Sequence, residues 1–279
     1  MRGERPIAVI CAMEWELAHL RRALAGGRDD RAGGVCAYLT SRGEQSLVLA
    51  FCGMGMVSAA AGTQATISQY QPRAVLNYGC VGAHRPALLP GDLIVGTRVI
   101  ASQSLREAPD GQLTYAGMYY LADGHQQRTQ AVEADPALLA VARQVAEHAP
   151  AQPEPWPLAL GWPETAPHRP PQVVFGTITS ADRWHRSPAS IAALVERYDS
   201  LCEDMEAAAI GLVCHSQGVP FLSVKDVSNN ELLRPTHSGA AMLDELGREQ
   251  VARRAAAFSL AVLEALTGSA TRGPTGSGG

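Results

Sequence analysis

The stretch Cys202-Glu203-Asp204-Met205-Glu206-Ala207-Ala208-Ala209 places acidic residues around a methionine at the start of a helix of small residues. It lies late in an alternating pattern of predicted strands and helices. A glutamate held where a strand meets a helix can accept hydrogen bonds from two vicinal hydroxyls, because an ionised carboxylate only accepts and has two oxygens. Met205 would give a sugar ring a soft apolar surface. The stretch indicates a ribose site, although an acidic residue in a first turn also offsets the helix macrodipole.

Segments typical of strands alternate with segments typical of helices along the chain. The predicted strands are residues 7–12, 35–40, 46–52, 74–78, 92–101, 173–179 and 221–224. The predicted helices are residues 14–25, 57–70, 136–148, 187–198, 206–216 and 240–266. This alternation predicts an α/β fold in which helices flank a central mixed β-sheet.

The length of 279 residues and the hydrophobic fraction of 46% suit one large domain. We expect this domain to cover residues 1–266, and the tail at 267–279, rich in Gly, Ser and Thr, to be disordered. A Pro-rich insertion at about 149–171 contains Trp156 and Trp162. A lid, a dimer contact and a surface insertion without a role are all compatible with this composition.

Charge and composition exclude several classes of partner. The formal net charge of -4 offers no basic surface for nucleic acid, and the apolar runs are too short for a membrane span. The N-terminal sequence lacks a signal-peptide core, so we expect a cytoplasmic protein. The six cysteines are far apart and are interpreted as small buried hydrophobic residues. The eight histidines show no ligand spacing, so we expect no metal and no cofactor.

Two glycine turns follow predicted strands. The turn at 52–60 looks like a dinucleotide-binding fingerprint, but Ser58 replaces the third glycine and the turn does not open the chain. The helix that follows it could bind water, an anion or a sugar hydroxyl. The turn at 77–83 could lay a flat base or a sugar against bare backbone, or could be only a tight strand exit. Lys225 is the only lysine, which excludes a Lys-based phosphate loop elsewhere.

Two carboxylates, Glu14 and Glu16, begin the first predicted helix. They follow a strand at the sheet edge where α/β proteins usually bind ligands. A single glutamate can draw a proton from water if burial raises its pKa toward neutrality. The alternative is a favourable first-turn charge. We prefer that interpretation for Glu14, whereas for Glu16 the resemblance described below favours the catalytic role.

Six motifs together resemble the nucleoside phosphorylase/nucleosidase superfamily, in the branch of methylthioadenosine/S-adenosylhomocysteine nucleosidases and futalosine hydrolases. The resemblance covers most of residues 6–265 except the Pro-rich insertion. It implies a three-layer α/β sandwich and hydrolysis of the N-ribosidic bond of a purine nucleoside through an oxocarbenium-like transition state. The motifs are CAMEWEL (11–17), CGMGMVSAAAG (52–62), NYGCVGA (77–83) with PGDLIV (90–95), SADRW (180–184), EDMEAAA (203–209) and KDVSNN (225–230).

The resemblance assigns roles to individual residues. It implies that Glu16 positions or deprotonates the nucleophilic water, and that Met205 and Glu206 hold the ribose. An aromatic ring that stacks on the base falls on Trp184, and the next backbone, at His185, would contact the base edge. The substrate-binding turn falls on Cys80, Val81 and Gly82.

The position that handles purine N7 falls on Asn229, where the adenine-specific branch has Asp. An asparagine donates through its amide NH2 to a 6-keto oxygen and accepts, through its carbonyl, a hydrogen bond from N7–H. Asn229 therefore favours a 6-oxopurine leaving group such as hypoxanthine or guanine. A shifted alignment would instead put Asp226 in the site. We favour Asn229 because residues three apart on a strand point to opposite faces.

Several alternatives remain open. Phosphorylases of this superfamily carry arginines in loops where this chain has Glu14-Trp15-Glu16 and Asn77, and carboxylates repel phosphate, so water is the expected nucleophile. A phosphorylase would need other arginines, such as Arg183 or Arg85. An adenine nucleosidase and a nucleoside-binding protein without turnover are further alternatives.

The resemblance also implies a homodimer, because relatives complete each site with residues from a neighbour. Residues 101–125, with Tyr115, Met118, Tyr119 and Tyr120, have the composition of an interface or of ordinary core packing. The 5′-substituent of the nucleoside stays open, and Trp156 or Trp162 is a candidate for shaping its pocket.

Overall fold

The computed structural model describes residues 5–31, 33–148, 155–160, 162–233 and 245–270. The strands are β1 (Ile7–Cys11), β2 (Arg28–Asp30), β3 (Cys36–Arg42), β4 (Gln45–Phe51), β5 (Ala74–Ala83), β6 (Leu93–Ala101), β7 (Leu105–Glu107), β8 (Leu113–Tyr115), β9 (Met118–Ala122), β10 (His125–Thr129), β11 (Val132–Glu133), β12 (Val173–Ser180), β13 (Ser200–Asp204) and β14 (Phe221–Asn229). The helices are α1 (Glu14–Ala23), α2 (Met56–Tyr70), α3 (Pro136–His148), α4 (Pro188–Tyr198), α5 (Ala207–Ser216), α6 (Glu245–Gln250) and α7 (Arg253–Ala270).

One large mixed sheet organises the molecule. Its strand order is β11-β6-β12-β13-β5-β1-β4-β3-β2, and β14 pairs with both β5 and β6. The strands β6, β12, β13, β5 and β14 therefore close into a ring, from which β1, β4, β3 and β2 extend. Strand β1 runs parallel to β4 and β5, whereas β13 runs antiparallel to β5. The predicted α/β fold with a central mixed sheet is confirmed.

Apolar side chains cover both faces of the sheet. In β1, Ile7 and Val9 face a core cluster shared with α1, α3 and α7, while Ala8 and Ile10 face a second cluster shared with α2 and α5. Successive residues of a strand point to opposite faces, so an uninterrupted apolar strand such as β1 needs helices on both sides. The three-layer arrangement follows from this pattern.

The carboxyl ends of three strands were not predicted from the sequence. Strand β5 continues past its predicted end to Ala83, and β14 continues to Asn229. Strand β13 was not predicted, because its last residues, Glu203 and Asp204, are charged and break the apolar pattern. Glycines interrupt the apolar pattern in the end of β5, and polar residues interrupt it in the ends of β13 and β14, so the pattern that identifies strands is lost there.

The C-terminal helix also differs from prediction. Residues 240–244 lie outside the described residues, and the predicted helix at 240–266 consists of α6 and α7 in its described part. Helix α7 continues to Ala270, into the segment that was predicted to be a disordered tail. Residues 271–279 of that tail lie outside the described residues.

The described part of the Pro-rich insertion packs against the core. Trp156 is fully buried, and its indole N–H donates to the carbonyl of Leu160 at 3.1 Å. Trp162 is also buried and donates to the carbonyl of Ala166 at 3.1 Å. Both join the cluster that contains α3 and α7, so the insertion carries core residues. Residues 149–154 and 161 lie outside the described residues.

The predicted interface residues at 101–125 have different environments. Met118 is buried, and the ring of Tyr115 meets that of Tyr198 edge-on at a centroid distance of 5.2 Å. Tyr120 is partly buried, whereas Tyr119 is 44% exposed. Core packing therefore explains Met118 and Tyr115, and only Tyr119 of the four presents a largely open side chain.

The cysteines agree only in part with the expectation that all of them are buried. All six cysteines are free, but Cys36 is exposed, contrary to the interpretation that all of them are buried. Its position on β3, near the sheet edge formed by β2, leaves one face uncovered.

Among the described helices, none combines the length and apolar character needed to span a bilayer.

Candidate active site

A cavity of about 270 Å³ lies where the ends of β5, β13 and β14 meet the first turn of α1. The carboxyl end of β5 and the start of α1 are where open α/β sheets usually bind ligands. Eight of the ten predicted site residues are among the described residues that line it: Glu16, Cys80, Val81, Gly82, Trp184, Met205, Glu206 and Asn229.

Glu16 folds back from α1 onto the loop after β1. Its Oε2 accepts hydrogen bonds from the backbone N–H groups of Ala12 at 3.1 Å and Met13 at 3.0 Å. Burial raises the pKa of Glu16 to about 7, against the opposing effect of Lys225. A carboxyl group that ionises near neutral pH is suited to accept a proton from water. Glu14, two residues earlier, is exposed.

Glu206 stands at the N-cap position of α5 and faces the cavity. Its Oε1 accepts a hydrogen bond from the N–H of Gly55 at 2.9 Å, and its Oε2 accepts one from the N–H of Met205 at 3.3 Å. Burial and the neighbouring Asp204 raise the pKa of Glu206 to about 7. Gly55 has a φ of 93°, and a Cβ there would lie 2.9 Å from Asp182 Oδ1, so glycine is required at this approach.

The glycine turn at 52–60 binds anionic groups, one of the roles considered for it, but these groups belong to the protein itself. The N–H of Gly55 binds Glu206, and the N–H of Met56 donates to Asp182 Oδ1 at 2.7 Å. The turn therefore holds carboxylates of the protein itself at the N-terminus of α2, where the macrodipole favours negative charge. It fixes Glu206 in place.

Lys225 is the main site residue that sequence reasoning missed. Its Nζ lies 2.8 Å from Asp204 Oδ2, and the two side chains are 2% and 1% exposed. Asp204 also accepts a hydrogen bond from the N–H of Ala207 at 3.0 Å. Burial opposes the charge on Lys225, but Asp204 and Glu206 outweigh it and raise the lysine pKa. The available signal was the presence of the chain's only lysine on an apolar strand.

Gly79 keeps space open between Glu16 and Lys225. A Cβ on Gly79 would lie 3.1 Å from Glu16 Oε1 and 3.4 Å from Lys225 Nζ. The two charged groups therefore approach the same small volume over bare backbone. Any larger residue on β5 would intrude between them.

Asn229 and Glu203 lie on opposite sides of Gly82. Gly82 on β5 is the register partner of both Glu203 on β13 and Asn229 on β14. Asn229 Oδ1 accepts a hydrogen bond from the hydroxyl of Ser228 at 2.9 Å, and its Nδ2 donates to Glu231 Oε1 at 3.3 Å. An ionised Glu231 has no donor, so the end of the Asn229 amide that faces it is the nitrogen. The end that faces the Ser228 hydroxyl is then the oxygen.

Asp226 lies outside the cavity, which corrects the alternative in which it binds the base. Its carboxylate accepts hydrogen bonds from the N–H groups of Ala252 at 2.9 Å and Arg254 at 3.1 Å, at the start of α7. Asp226 is fully buried there and is not among the described lining residues. The two side chains are separated as expected, but β14 shifts register between Val227 and Asn229, so these contacts rather than simple alternation show the separation.

His185 also does not line the described cavity. Its N–H donates to Glu203 Oε1 at 2.7 Å, and its Nδ1 lies 2.6 Å from Glu203 Oε2. The N–H that was expected to contact the base edge is therefore already used, and Glu203 lines the cavity instead. Trp184, next to it in the chain, is 49% exposed at the cavity edge, where a ring could stack on a ligand.

The arginines considered for phosphate binding are not grouped in the cavity. Arg85 pairs with Asp199, and it is not among the described lining residues. Asn77 is buried and accepts a hydrogen bond from the Ser223 hydroxyl at 2.8 Å. Arg183 lines the cavity and is exposed. Among the described residues, no group of three or more potential ligands could hold a metal ion.

Comparison with known protein families identifies the family to which this chain belongs. A family model described as the phosphorylase superfamily matches residues 6–266. The chain belongs to the phosphorylase superfamily. The resemblance drawn from the six motifs is therefore confirmed at the level of the superfamily.

Individual relatives agree with this assignment. The 5′-methylthioadenosine/S-adenosylhomocysteine nucleosidase of Anoxybacillus flavithermus is 29% identical over 225 residues, which cover 80% of this chain and 84% of the relative. The futalosine hydrolase structure of Helicobacter pylori aligns with a TM-score of 0.73 at 20% identity, covering 93% and 97% of the two chains. A Neisseria meningitidis 5′-methylthioadenosine/S-adenosylhomocysteine nucleosidase, in complex with methylthio-immucillin-A, aligns with a TM-score of 0.69 at 25% identity, covering 95% and 100%.

Proposed function

We propose that this protein hydrolyses the N-ribosidic bond of a purine nucleoside and releases a 6-oxopurine base. The observation that carries the proposal is that Asn229 lines the same cavity as Glu16 and Glu206, while Asp226 is turned away into the start of α7. The names of the relatives support nucleoside hydrolysis, and they include both adenine nucleosidases and a futalosine hydrolase.

Glu16 and Glu206 have different roles at the ribose: Glu16 accepts a proton from the attacking water, and Glu206 binds the sugar hydroxyls. The water oxygen forms a bond to the anomeric carbon as the bond from that carbon to the base breaks, and the water proton passes to Glu16. Glu206 keeps two acceptor positions beyond its bonds to Gly55 and Met205, enough for two vicinal hydroxyls. Lys225 lies beside Glu16 across Gly79 and stabilises the ionised carboxylate that the base role needs.

Asn229 acts on the leaving base. The electrons of the broken bond pass into the purine ring, and N7 takes up a proton from solvent water. Glu16 later returns to solvent the proton it accepted, so no net proton is consumed. The amide oxygen of Asn229 accepts a hydrogen bond from N7–H, and the amide nitrogen donates one to the 6-keto oxygen. A 6-amino group would face the amide donor and leave both groups unpaired, which a buried site penalises strongly.

Water rather than phosphate is the nucleophile in this proposal. The cavity is lined by four carboxylates, Glu16, Glu203, Asp204 and Glu206, against the two cations Lys225 and Arg183. Lys225 already pairs with Asp204. Such a lining disfavours a phosphate dianion, so base release should not depend on phosphate.

An adenine nucleosidase is the second candidate, because relatives that are 28% and 29% identical to this chain over 225 residues are 5′-methylthioadenosine/S-adenosylhomocysteine nucleosidases. In that case Asn229 would bind N7 only, and the 6-amino group would be held by another acceptor. Release of adenine from methylthioadenosine, with inosine-type nucleosides untouched, would establish it.

We also propose that the protein acts as a homodimer through a face near the cavity mouth. Four large apolar side chains are exposed: Met54 just before α2, Val57 in its first turn, and Tyr119 and Leu121 on β9. Both α2 and β9 pack against α5, so these side chains belong to one region. Clusters of exposed apolar residues often mark protein interfaces. Light scattering should give a dimer mass, and Val57→Glu with Leu121→Glu should convert it to a monomer.

The deciding experiment is base release from a panel of nucleosides, each with and without phosphate, read by chromatography. The panel contains inosine, guanosine, futalosine, adenosine and methylthioadenosine. Phosphate-independent release of hypoxanthine or guanine supports the proposal. Release of adenine alone favours the second candidate, and strict phosphate dependence would overturn hydrolysis. Ligand binding without release would identify a nucleoside-binding protein.

A further inference from the structure

We propose that Glu203 is the second base-reading residue of this site and accepts a hydrogen bond from N1–H of a 6-oxopurine. The inference rests on the proposed function, since it presumes a purine base between β13 and β14. It adds a specificity-determining residue on the side of the base opposite Asn229. The ligand class it defines is a purine that carries a proton on N1, such as hypoxanthine or guanine.

The sheet register brings Glu203 and Asn229 to one base-sized gap. Both are register partners of Gly82, on the two strands that flank β5. Neighbouring strands are about 4.8 Å apart, so the two backbones are separated by about 10 Å across the glycine. Both side chains line the cavity, and Gly82 has no side chain to fill the space between them. A flat ring can lie there, with one polar edge toward each residue.

The same gap is next to the exposed tryptophan. Glu203 is bound by both the N–H and the Nδ1 of His185, and His185 directly follows Trp184 in the chain. The Trp184 ring lines the cavity edge. Glu203 therefore lies at the end where an aromatic side chain can stack on a base, and Glu206 serves the other end, beside Met205.

Glu203 has free acceptor capacity and retains its charge. Each of its oxygens takes one contact from His185, and an ionised carboxylate offers about four acceptor positions. His84 Nε2 lies 3.7 Å from Oε2, and makes no hydrogen bond within the described residues. Burial opposes ionisation of Glu203, but His84 and His185 outweigh it and lower the carboxyl pKa. The group is an acceptor at neutral pH.

An acceptor at this place discriminates between purines by their N1 chemistry. Hypoxanthine and guanine present N1–H, and guanine adds a 2-amino donor beside it. Adenine presents an unprotonated N1, whose lone pair would face the carboxylate and repel it. Asn229 and Glu203 therefore select the same tautomeric pattern from two edges, one through N7 and O6 and the other through N1.

The simplest alternative is that Glu203 only anchors the loop at His185. That role explains the hydrogen bonds to His185, but it gives no preference for the substituent at N1. The two roles therefore predict different effects of the substituent at N1 on base affinity, whereas they do not differ in their effect on protein stability.

The test is calorimetric binding of free bases to the full chain, which does not depend on hydrolysis. Hypoxanthine, 1-methylhypoxanthine and adenine are compared with wild-type protein and with Glu203→Gln. We expect wild-type protein to bind hypoxanthine about tenfold to hundredfold more tightly than either other base, as befits a hydrogen bond to a charged group. In Glu203→Gln, whose amide can donate to an unprotonated N1, adenine should gain at least tenfold relative to hypoxanthine.

Asn229→Ala is the matched control. It should weaken hypoxanthine and 1-methylhypoxanthine by similar factors and leave their ratio unchanged, because both retain N7 and O6. Equal wild-type affinity for these two bases, or an unchanged adenine-to-hypoxanthine ratio in folded Glu203→Gln, would overturn the role of Glu203. If Glu203→Gln does not fold, the wild-type base series alone decides. Absence of nucleoside cleavage with the expected base selectivity would overturn only the proposed hydrolysis.

Discussion

Lys225 Nζ lies 2.8 Å from Asp204 Oδ2, and both side chains are almost excluded from solvent. The same ammonium opposes the rise in pKa of two further cavity carboxyls, Glu16 and Glu206. The pKa of each of these carboxyls is nevertheless raised to about 7 by burial first of all. One buried cation therefore pairs with one carboxylate of the cavity and limits the rise in pKa of two others.

Replacing that cation should change both properties. Lys225→Met leaves Asp204 buried without its partner, which we expect to lower the free energy of unfolding by about 3–5 kcal/mol. The pKa of Glu16 should rise further, so the acidic limb of the kcat/KM profile should move to higher pH. Urea unfolding and a pH–rate profile measure the two effects. Lys225→Arg keeps the charge and should shift the limb less, and an unmoved limb in Lys225→Met would separate Lys225 from Glu16.

Glu206→Gln should abolish measurable turnover. The substitution keeps the shape of the side chain but removes the charge that makes hydrogen bonds from two ribose hydroxyls strong, each about 1.5–3 kcal/mol. We expect kcat/KM to fall by at least about a hundredfold. Chromatographic base release on the best nucleoside of the panel measures it. A near-normal rate would remove Glu206 from the ribose site.

The part of the site that the sequence predicted consists of residues in motifs that resemble those of the superfamily. Glu16, Glu206 and Asn229 lie in three such motifs, and the structure brings all three to one cavity. Glu203 and Lys225 could not be assigned, because their roles depend on which strands pair. Gly82 acquires two partners only when β13 and β14 lie on either side of β5, which is a long-range relation.

Trp156 tests whether the Pro-rich insertion is structural. It is fully buried, its indole N–H is bonded to Leu160, and the Arg254 guanidinium lies 5.3 Å from its ring centre. Trp156→Ala should cost about 3–5 kcal/mol of stability through the cavity it leaves. KM of the folded fraction should change little, since Trp156 is not among the described lining residues. A stable variant with an altered KM would instead favour a lid.

Asn229→Asp should move base preference toward adenine. A protonated aspartic acid can donate to N7 while its other oxygen accepts from a 6-amino group, whereas an ionised one can accept from the amino group but cannot donate to N7. The gain should therefore be larger at acidic pH. The measured quantity is the ratio of kcat/KM for methylthioadenosine to that for futalosine. An unchanged ratio at every pH would discard the assignment of Asn229 to the 6-oxo group.

Glu16→Gln should destroy activity and stabilise the protein at the same time. The pKa of Glu16 rises from 4.5 to about 7 on folding, so the native state holds its proton more tightly than the unfolded state. Its contribution to stability is therefore full below about pH 4.5 and is lost as the pH rises through about 7. A neutral glutamine, whose oxygen can still accept from Ala12 and Met13, avoids that loss.

We expect Glu16→Gln to be more stable than wild-type protein by up to about 3 kcal/mol at pH 8, and nearly equal at pH 4. Hydrolysis should fall by about 10²–10⁴ because the general base is gone. Glu14→Gln is the matched control: it lies in the same turn but is exposed, so neither quantity should change appreciably. Chemical unfolding at the two pH values measures the stability of both variants, and base release at pH 8 measures their activity. Lower stability of Glu16→Gln at pH 8 would mean that the carboxylate is retained for structure. A gain in stability together with a loss of hydrolysis would instead identify Glu16 as a functional group that destabilises the fold.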